Sequence, residues 1–179
     1  MINAVGRNIP EEVMAATGRD VFRGSYVNDN KEYVKAAPKV RGLCDPKRSK
    51  LIGSIHEAIV KCGVRDGMTL SFHHHFREGD YVLNTVMQEI HDMGIRDLTI
   101  CASSLGKAND AILPFIEDGT ITSIYSSGVR GKIGEAISNG KLKNIAVMYS
   151  HGGRVRAIEE GRIHIDVAFI GAPTADEYG

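Results

Sequence analysis

The sequence predicts an α/β fold, three layers deep, with helices on both faces of a mainly parallel sheet. Three observations predict it. Short apolar runs alternate with amphipathic segments from about residue 46 to the end of the chain. Several of those runs carry almost no polar residue, as strands buried on both faces require. Most amphipathic segments close on a glycine, and a polar loop stands behind each strand.

The elements follow in order. Residues 1–45 are rich in Gly, Asn, Pro and charge and lack a clear period. They are expected to form an extended arm or a flexible tail, with one short helix over 11–17 that Gly18 ends. The domain proper is expected at 46–179. Asp45 is a good N-cap and Pro46 suits a first helical position. Leu51, Ile52, Ile55, Ala58, Ile59 and Cys62 then fall on one helical face, and Gly63 closes it. A first strand is expected over 68–72. The second helical face is Val82, Leu83, Val86, Met87, Ile90 and Met93, ended by Gly94. Strand 98–102 follows, then a short helix over 111–117 with Gly119 behind it. Strand 121–125, a weaker helix over 129–138 ended by Gly140, strand 144–149, a short helix over 154–160 and strand 166–171 complete the pattern. The crossovers between parallel strands should be right-handed.

At 179 residues the chain can bury a real core. Its 42% apolar content is ordinary for a soluble globular protein. Twenty-two basic and 22 acidic residues cancel, which argues against binding nucleic acid by phosphate neutralisation. No apolar run is long enough to span a membrane, and residues 1–7 lack the apolar core of a signal peptide. Cys44, Cys62 and Cys101 are odd in number and show no CxxC spacing, which suits reduced thiols in a cytoplasm.

The loop behind the first strand carries the strongest chemical signal: Ser71-Phe72-His73-His74-His75-Phe76-Arg77-Glu78-Gly79-Asp80. In an open α/β sheet such loops sit at the carboxyl edge, where ligands bind. Neighbouring side chains of an extended segment point apart, so His73 and His75 could meet one ion but His74 could not easily join them. Asp80 and His151 are the remaining candidate ligands, and no HExxH-type spacing exists, so a metal is not expected. An anion suits the loop better. Imidazoles donate hydrogen bonds, Arg77 can clamp a carboxylate with two bonds, and a helix N-terminus follows. At least one of the three histidines is expected to be an ordinary buried, hydrogen-bonded residue.

Ser103, Ser104 and Gly106 end the second strand and could cradle a carboxylate or a pantetheine amide. Ser126, Ser127 and Gly128 behind the third strand, and His151 behind the fourth, form a second tier, since such residues are also common turn formers. No GxSxG elbow and no GxGxxG fingerprint is present, which disfavours a serine hydrolase and a dinucleotide fold.

Several segments resemble family I coenzyme A transferases. They are Val64-Arg65-Asp66-Gly67-Met68-Thr69-Leu70, the His loop, Gly94-Ile95-Arg96-Asp97-Leu98-Thr99-Ile100, and the run from Asp166-Val167-Ala168-Phe169-Ile170-Gly171-Ala172-Pro173 into Ala175-Asp176-Glu177-Tyr178-Gly179. Where most of that family has a Gly-Gly-Phe loop, this chain has His73-His74-His75-Phe76. That replacement, and the arm Asn3-Ala4-Val5-Gly6-Arg7-Asn8-Ile9-Pro10, resemble the citrate lyase alpha-subunit family. The resemblance covers essentially the whole chain, and the His loop is its most specific part.

The resemblance implies a citrate CoA-transferase that exchanges acetyl for citryl on the thiol of an acyl carrier protein. The implied partners are citrate, acetate, and the acyl carrier and beta subunits of a cytoplasmic, oligomeric complex. No tightly bound cofactor is implied; the carrier presents a CoA-like prosthetic group. The nucleophile would be a glutamate of a second, homologous half. Its Glu-Asn-Gly setting is absent here, since Ser138-Asn139-Gly140 reads as a helix end. The chain is therefore expected to be the first part of a longer enzyme and inactive alone. It would supply His73, His74, His75, Arg77, Ser103, Ser104 and Gly106 for substrate or oxyanion binding. A non-catalytic carrier or assembly module, and a sugar-phosphate isomerase on the same fold, are the alternatives.

Overall fold

The computed structural model describes residues 1–24, 47–73 and 80–178. The chain divides into two compact units, Met1–Val34 and Lys35–Gly179. In the first, helix α1 (Glu11–Thr17) ends where Gly18 turns left-handed at φ 60° and its amide returns to the Met14 carbonyl. Asn3 organises the turn before it, accepting the amides of Val5 and Arg7 on Oδ1 at 3.1 and 2.9 Å.

The second unit is built on a five-stranded sheet, all parallel, in the order β4-β3-β2-β1-β5. Its strands are β1 (Thr69–Phe72), β2 (Leu98–Ala102), β3 (Ile121–Ser126), β4 (Ala146–Met148) and β5 (Val167–Phe169). The chain steps outward from β1 through β2 and β3 to β4, then returns to pair β5 with the free side of β1. Helix α2 (Ile55–Lys61) precedes β1; helices α3 (Val82–Asp92), α4 (Leu113–Glu117) and α5 (Gly131–Ser138) serve the outward steps, with a 3-10 helix at Lys107–Ile112 before α4. Helix α6 (His151–Glu159) serves the return.

Alternation along each strand separates two faces. Leu70 and Phe72 of β1, Ile100 and Ala102 of β2 and Ile124 of β3 join one core with Ile59, Leu83, Val86, Met87, Ile90, Ile116 and Ile133 of the helices. Cys101 points the other way and packs with Ala157 of α6 and Ile163. Crossovers of one hand place their helices on one face while the chain steps outward and on the opposite face when it steps back. The third layer, α6, is that consequence.

Most expected elements are present; β4 and β5 are shorter than the expected strands 144–149 and 166–171, and four helical segments start elsewhere than expected. The helix expected from Pro46 begins only at Ile55, because Ser54 caps it: its hydroxyl accepts the Glu57 amide at 3.1 Å, while the Glu57 carboxylate accepts the Gly53 amide at 2.8 Å. Leu51 and Ile52 are consequently exposed and outside any helix, while Asp45 and Pro46 lie outside the described residues. The segment before α4 is a 3-10 helix from Lys107, with Pro114 at the start of α4. Helix α5 starts at Gly131, two residues late, because Val129 bridges to Leu105. Helix α6 starts at His151 and not at Arg154, since Ser150 caps it by accepting the Gly153 amide at 3.0 Å. Two glycines in a first turn, read as loop, are tolerated under such a cap.

Candidate functional site

The order of the strands puts the topological switch between β1 and β5, where the direction of winding reverses. Ligands of open α/β sheets bind outside the carboxyl ends of the strands at such a point. The residue that follows β1 at that end is His73. It is exposed, and the stacked rings of Phe72 and Phe169, 5.6 Å between centroids, floor the β1–β5 seam behind it.

A shallow depression, open to solvent, lies at the ends of β1 and β2. Phe72 and His73 line it from β1, Ala102 and Ser104 from β2, Asp80, Val82 and Leu83 from the start of α3, and Asn109 from the 3-10 helix. The site thus joins two loops that the sequence singled out separately, through His73 and Ser104. His74, His75 and Arg77 lie outside the described residues.

The wall behind Ser104 is a hydrogen-bonded frame. Gly106 donates its amide to Asn109 Oδ1 at 3.1 Å, which fixes the end of the 103–106 loop. Asn109 donates through Nδ2 to Asn84 Oδ1 at 3.5 Å, and Asn84 donates to the Ala108 carbonyl at 2.7 Å, tying that loop to α3. The 103–106 and 126–128 loops are also stitched together. Leu105 donates its amide to the Gly128 carbonyl at 2.9 Å, Ser127 to the Ser103 carbonyl at 3.3 Å, and Arg130 to the Leu105 carbonyl at 3.0 Å.

The second-tier residues stand apart from the depression. Ser126 spends its hydroxyl on its own turn, donating to the Gly128 carbonyl at 2.9 Å and accepting the Gly128 amide at 3.2 Å. Ser127 Oγ is buried without a hydrogen-bond partner among the described residues. His151 opens α6 behind β4, three strands from β1, or about 14 Å at ~4.8 Å per strand.

Two residues at this sheet edge were not recognised in the sequence. Asn109 sits in what reads as a polar surface turn, yet it is only 6% exposed. Arg154 reaches under the sheet from α6. Its Nη2 donates to Ser71 Oγ at 3.0 Å and to the Cys101 carbonyl at 3.1 Å, bridging the ends of β1 and β2 from the face opposite α3. The buried Cys101 thiol beside it is pushed up by burial, with the Arg154 charge opposing. A helical arginine three residues into a Gly-rich turn carries no local sign of that role. Among the described residues, no group of His, Cys, Asp and Glu is arranged to hold a metal ion, and no helix is long and apolar enough to cross a membrane.

Comparison with known proteins gives a consistent picture. A family model described as citrate lyase, alpha subunit (CitF), matches residues 48–179. The citrate lyase alpha chain of Haemophilus influenzae is 46% identical over 164 residues, which is 91% of this chain and 33% of that protein. The Klebsiella pneumoniae alpha chain is 45% identical over 143 residues, 80% of this chain and 28% of that one. A crystal structure from Streptococcus mutans, described as an alpha subunit of citrate lyase in complex with citrate, superposes with a TM-score of 0.84 at 47% identity. It covers 99% of this chain and 34% of its own. The chain therefore spans about a third of the length of the relatives it matches. With a family model aligned to most of its length and identities well above those at which folds diverge, this chain belongs to the citrate lyase alpha-subunit family.

Proposed function

We propose that the chain forms the acid-binding part of a citrate CoA-transferase, which exchanges acetyl for citryl on the thiol of an acyl carrier protein. The observation that carries this is the meeting of His73 and Ser104 in one depression at the carboxyl edge of the sheet, in a chain 47% identical to one described as citrate-bound.

The chemistry follows from what these groups can do. The imidazole of His73 can donate a hydrogen bond to a carboxylate, or to the oxyanion that develops when a carboxylate attacks a thioester; the Ser104 hydroxyl, which makes a long 3.4 Å bond to the Gly128 carbonyl, would turn from it to donate likewise. His74, His75 and Arg77 would add donors from the same loop; they lie outside the described residues. Ser103, Gly106 and the stitched 126–128 loop hold Ser104 in place. The carboxylate nucleophile that forms the acyl anhydride, and then the enzyme thioester, is assigned to residues beyond these 179. The carrier's CoA-like arm would supply the thiol, and acyl carrier and beta subunits would be the partners in a cytoplasmic complex. Residues 1–45 would be an arm on that assembly and 46–179 its first transferase-like domain.

Titration calorimetry with citrate and an acyl-exchange assay with acetylated carrier test the reading. The 179-residue chain is expected to bind citrate and to catalyse no exchange. His73→Ala should weaken binding about tenfold or more, since a hydrogen bond to a charged group contributes ~1.5–3 kcal/mol. Citrate-dependent exchange by this chain alone would refute the assignment of the nucleophile. Failure to bind citrate would refute the site.

A further inference from the structure

Asp80 is the one acidic residue lining the depression among the described residues. It stands at the mouth of α3 and is only 6% exposed. Its Oδ1 accepts the Val82 amide at 3.3 Å, a long bond that closes a local turn. No lysine, arginine or histidine pairs with it among the described residues. Its side chain is part of the wall of the depression, and its second oxygen is not among the buried polar atoms that lack a partner.

A carboxylate is an odd lining for a pocket that takes an acid. It accepts hydrogen bonds and donates none when ionised, and it repels a second carboxylate. A buried carboxylate with one weak partner is stabilised by any donor brought to it. The ligand group that satisfies Asp80 is therefore an uncharged donor, and on a small organic acid that group is an alcohol O–H.

We infer that Asp80 reads a hydroxyl of the bound acid, so that the site selects hydroxy-polycarboxylates over their deoxy analogues. This rests on the proposal that the depression binds citrate. His73 and Ser104 take carboxylate oxygens, and Asp80 accepts the alcohol between them. Such a site rejects a ligand that lacks the hydroxyl twice over. The acceptor is left unpaired, and the charge that the hydroxyl had screened faces the carboxylates.

The test compares citrate with propane-1,2,3-tricarboxylate by titration calorimetry on the 179-residue chain. Citrate is expected to bind at least tenfold tighter. In Asp80→Ala the ratio should fall to about one, chiefly because the deoxy acid gains affinity once the unpaired charge is gone. Asp80→Ser keeps an oxygen for the Val82 amide but is too short to reach a ligand, so it should lose the ratio as well while holding the turn. A structural loss would weaken both acids alike and leave the ratio where it was. Equal binding of the two acids by the unaltered chain overturns the inference and leaves the proposed function standing, as does a ratio unchanged in both variants. Binding of neither acid overturns both.

Discussion

His73 and Ser104 follow different strands, and each stands in a loop that the sequence marks by itself; they acquire a joint meaning by lining one depression. The same holds for side chains under the sheet. Cys101 is fully buried, its thiol held above its ordinary range by burial, against the pull of Arg154. Cys62 is exposed at the end of α2. Thiolate is the reacting form, so the two should separate cleanly. With iodoacetamide at about pH 8, Cys62 is expected to alkylate in the native protein and Cys101 only after unfolding, as read by peptide mass spectrometry. Equal rates at the two sites in the folded chain would contradict the packing of α6 against β2.

Among the elements, α2 displays how one cap overrides a longer apolar pattern. The stripe from Leu51 to Cys62 has the right period for one helix, but Ser54 accepts the Glu57 amide and Glu57 accepts that of Gly53, which starts it at Ile55. Ser54→Ala should cost about 1 kcal/mol in urea unfolding. The Glu57 carboxyl is held below its usual range, first by its hydrogen bond from Lys61, at 2.7 Å, and then by the Gly53 amide. A lowered folded pKa means that the contribution is complete above the unfolded value, about 4.3, and fades as pH falls through the still lower folded value. The melting temperature of Glu57→Gln should therefore trail the unaltered chain by a constant gap above about pH 5 and converge with it in stronger acid. A gap that persists in acid would mean that the ionised carboxylate contributes nothing.

For the molecule as a whole, the central strand governs stability and the strand order governs function. Ile100, fully buried in β2 between β1 and β3, touches the main core. Ile100→Ala should cost ~2–5 kcal/mol, read as a lowered urea midpoint with little change in slope. Much of this architecture was legible from the chain alone. Helix Glu11–Thr17 and strand Leu98–Ala102 fall where glycine punctuation and apolar runs place them, because cap chemistry and two-sided burial are properties of a few consecutive residues. The carboxyl-edge position of His73 was equally local, since it follows from a strand that precedes a helix. Boundaries failed where a contact from afar intervened, as when Leu105 claimed Val129 before α5 could begin. The lateral order of the strands was not written in any local pattern. Parallel partners are joined by crossovers of similar length whichever neighbour they reach, so only packing of the helices on the two faces decides that β5 returns to β1. The return of β5 sets the switch point, while the pairing of β2 with β1 seats Ser104 near His73 and the outward order strands His151 three places away. The sequence by itself determined what the elements are and which loops carry chemistry; the tertiary structure decided which of those loops meet, because adjacency in a parallel sheet is a long-range choice.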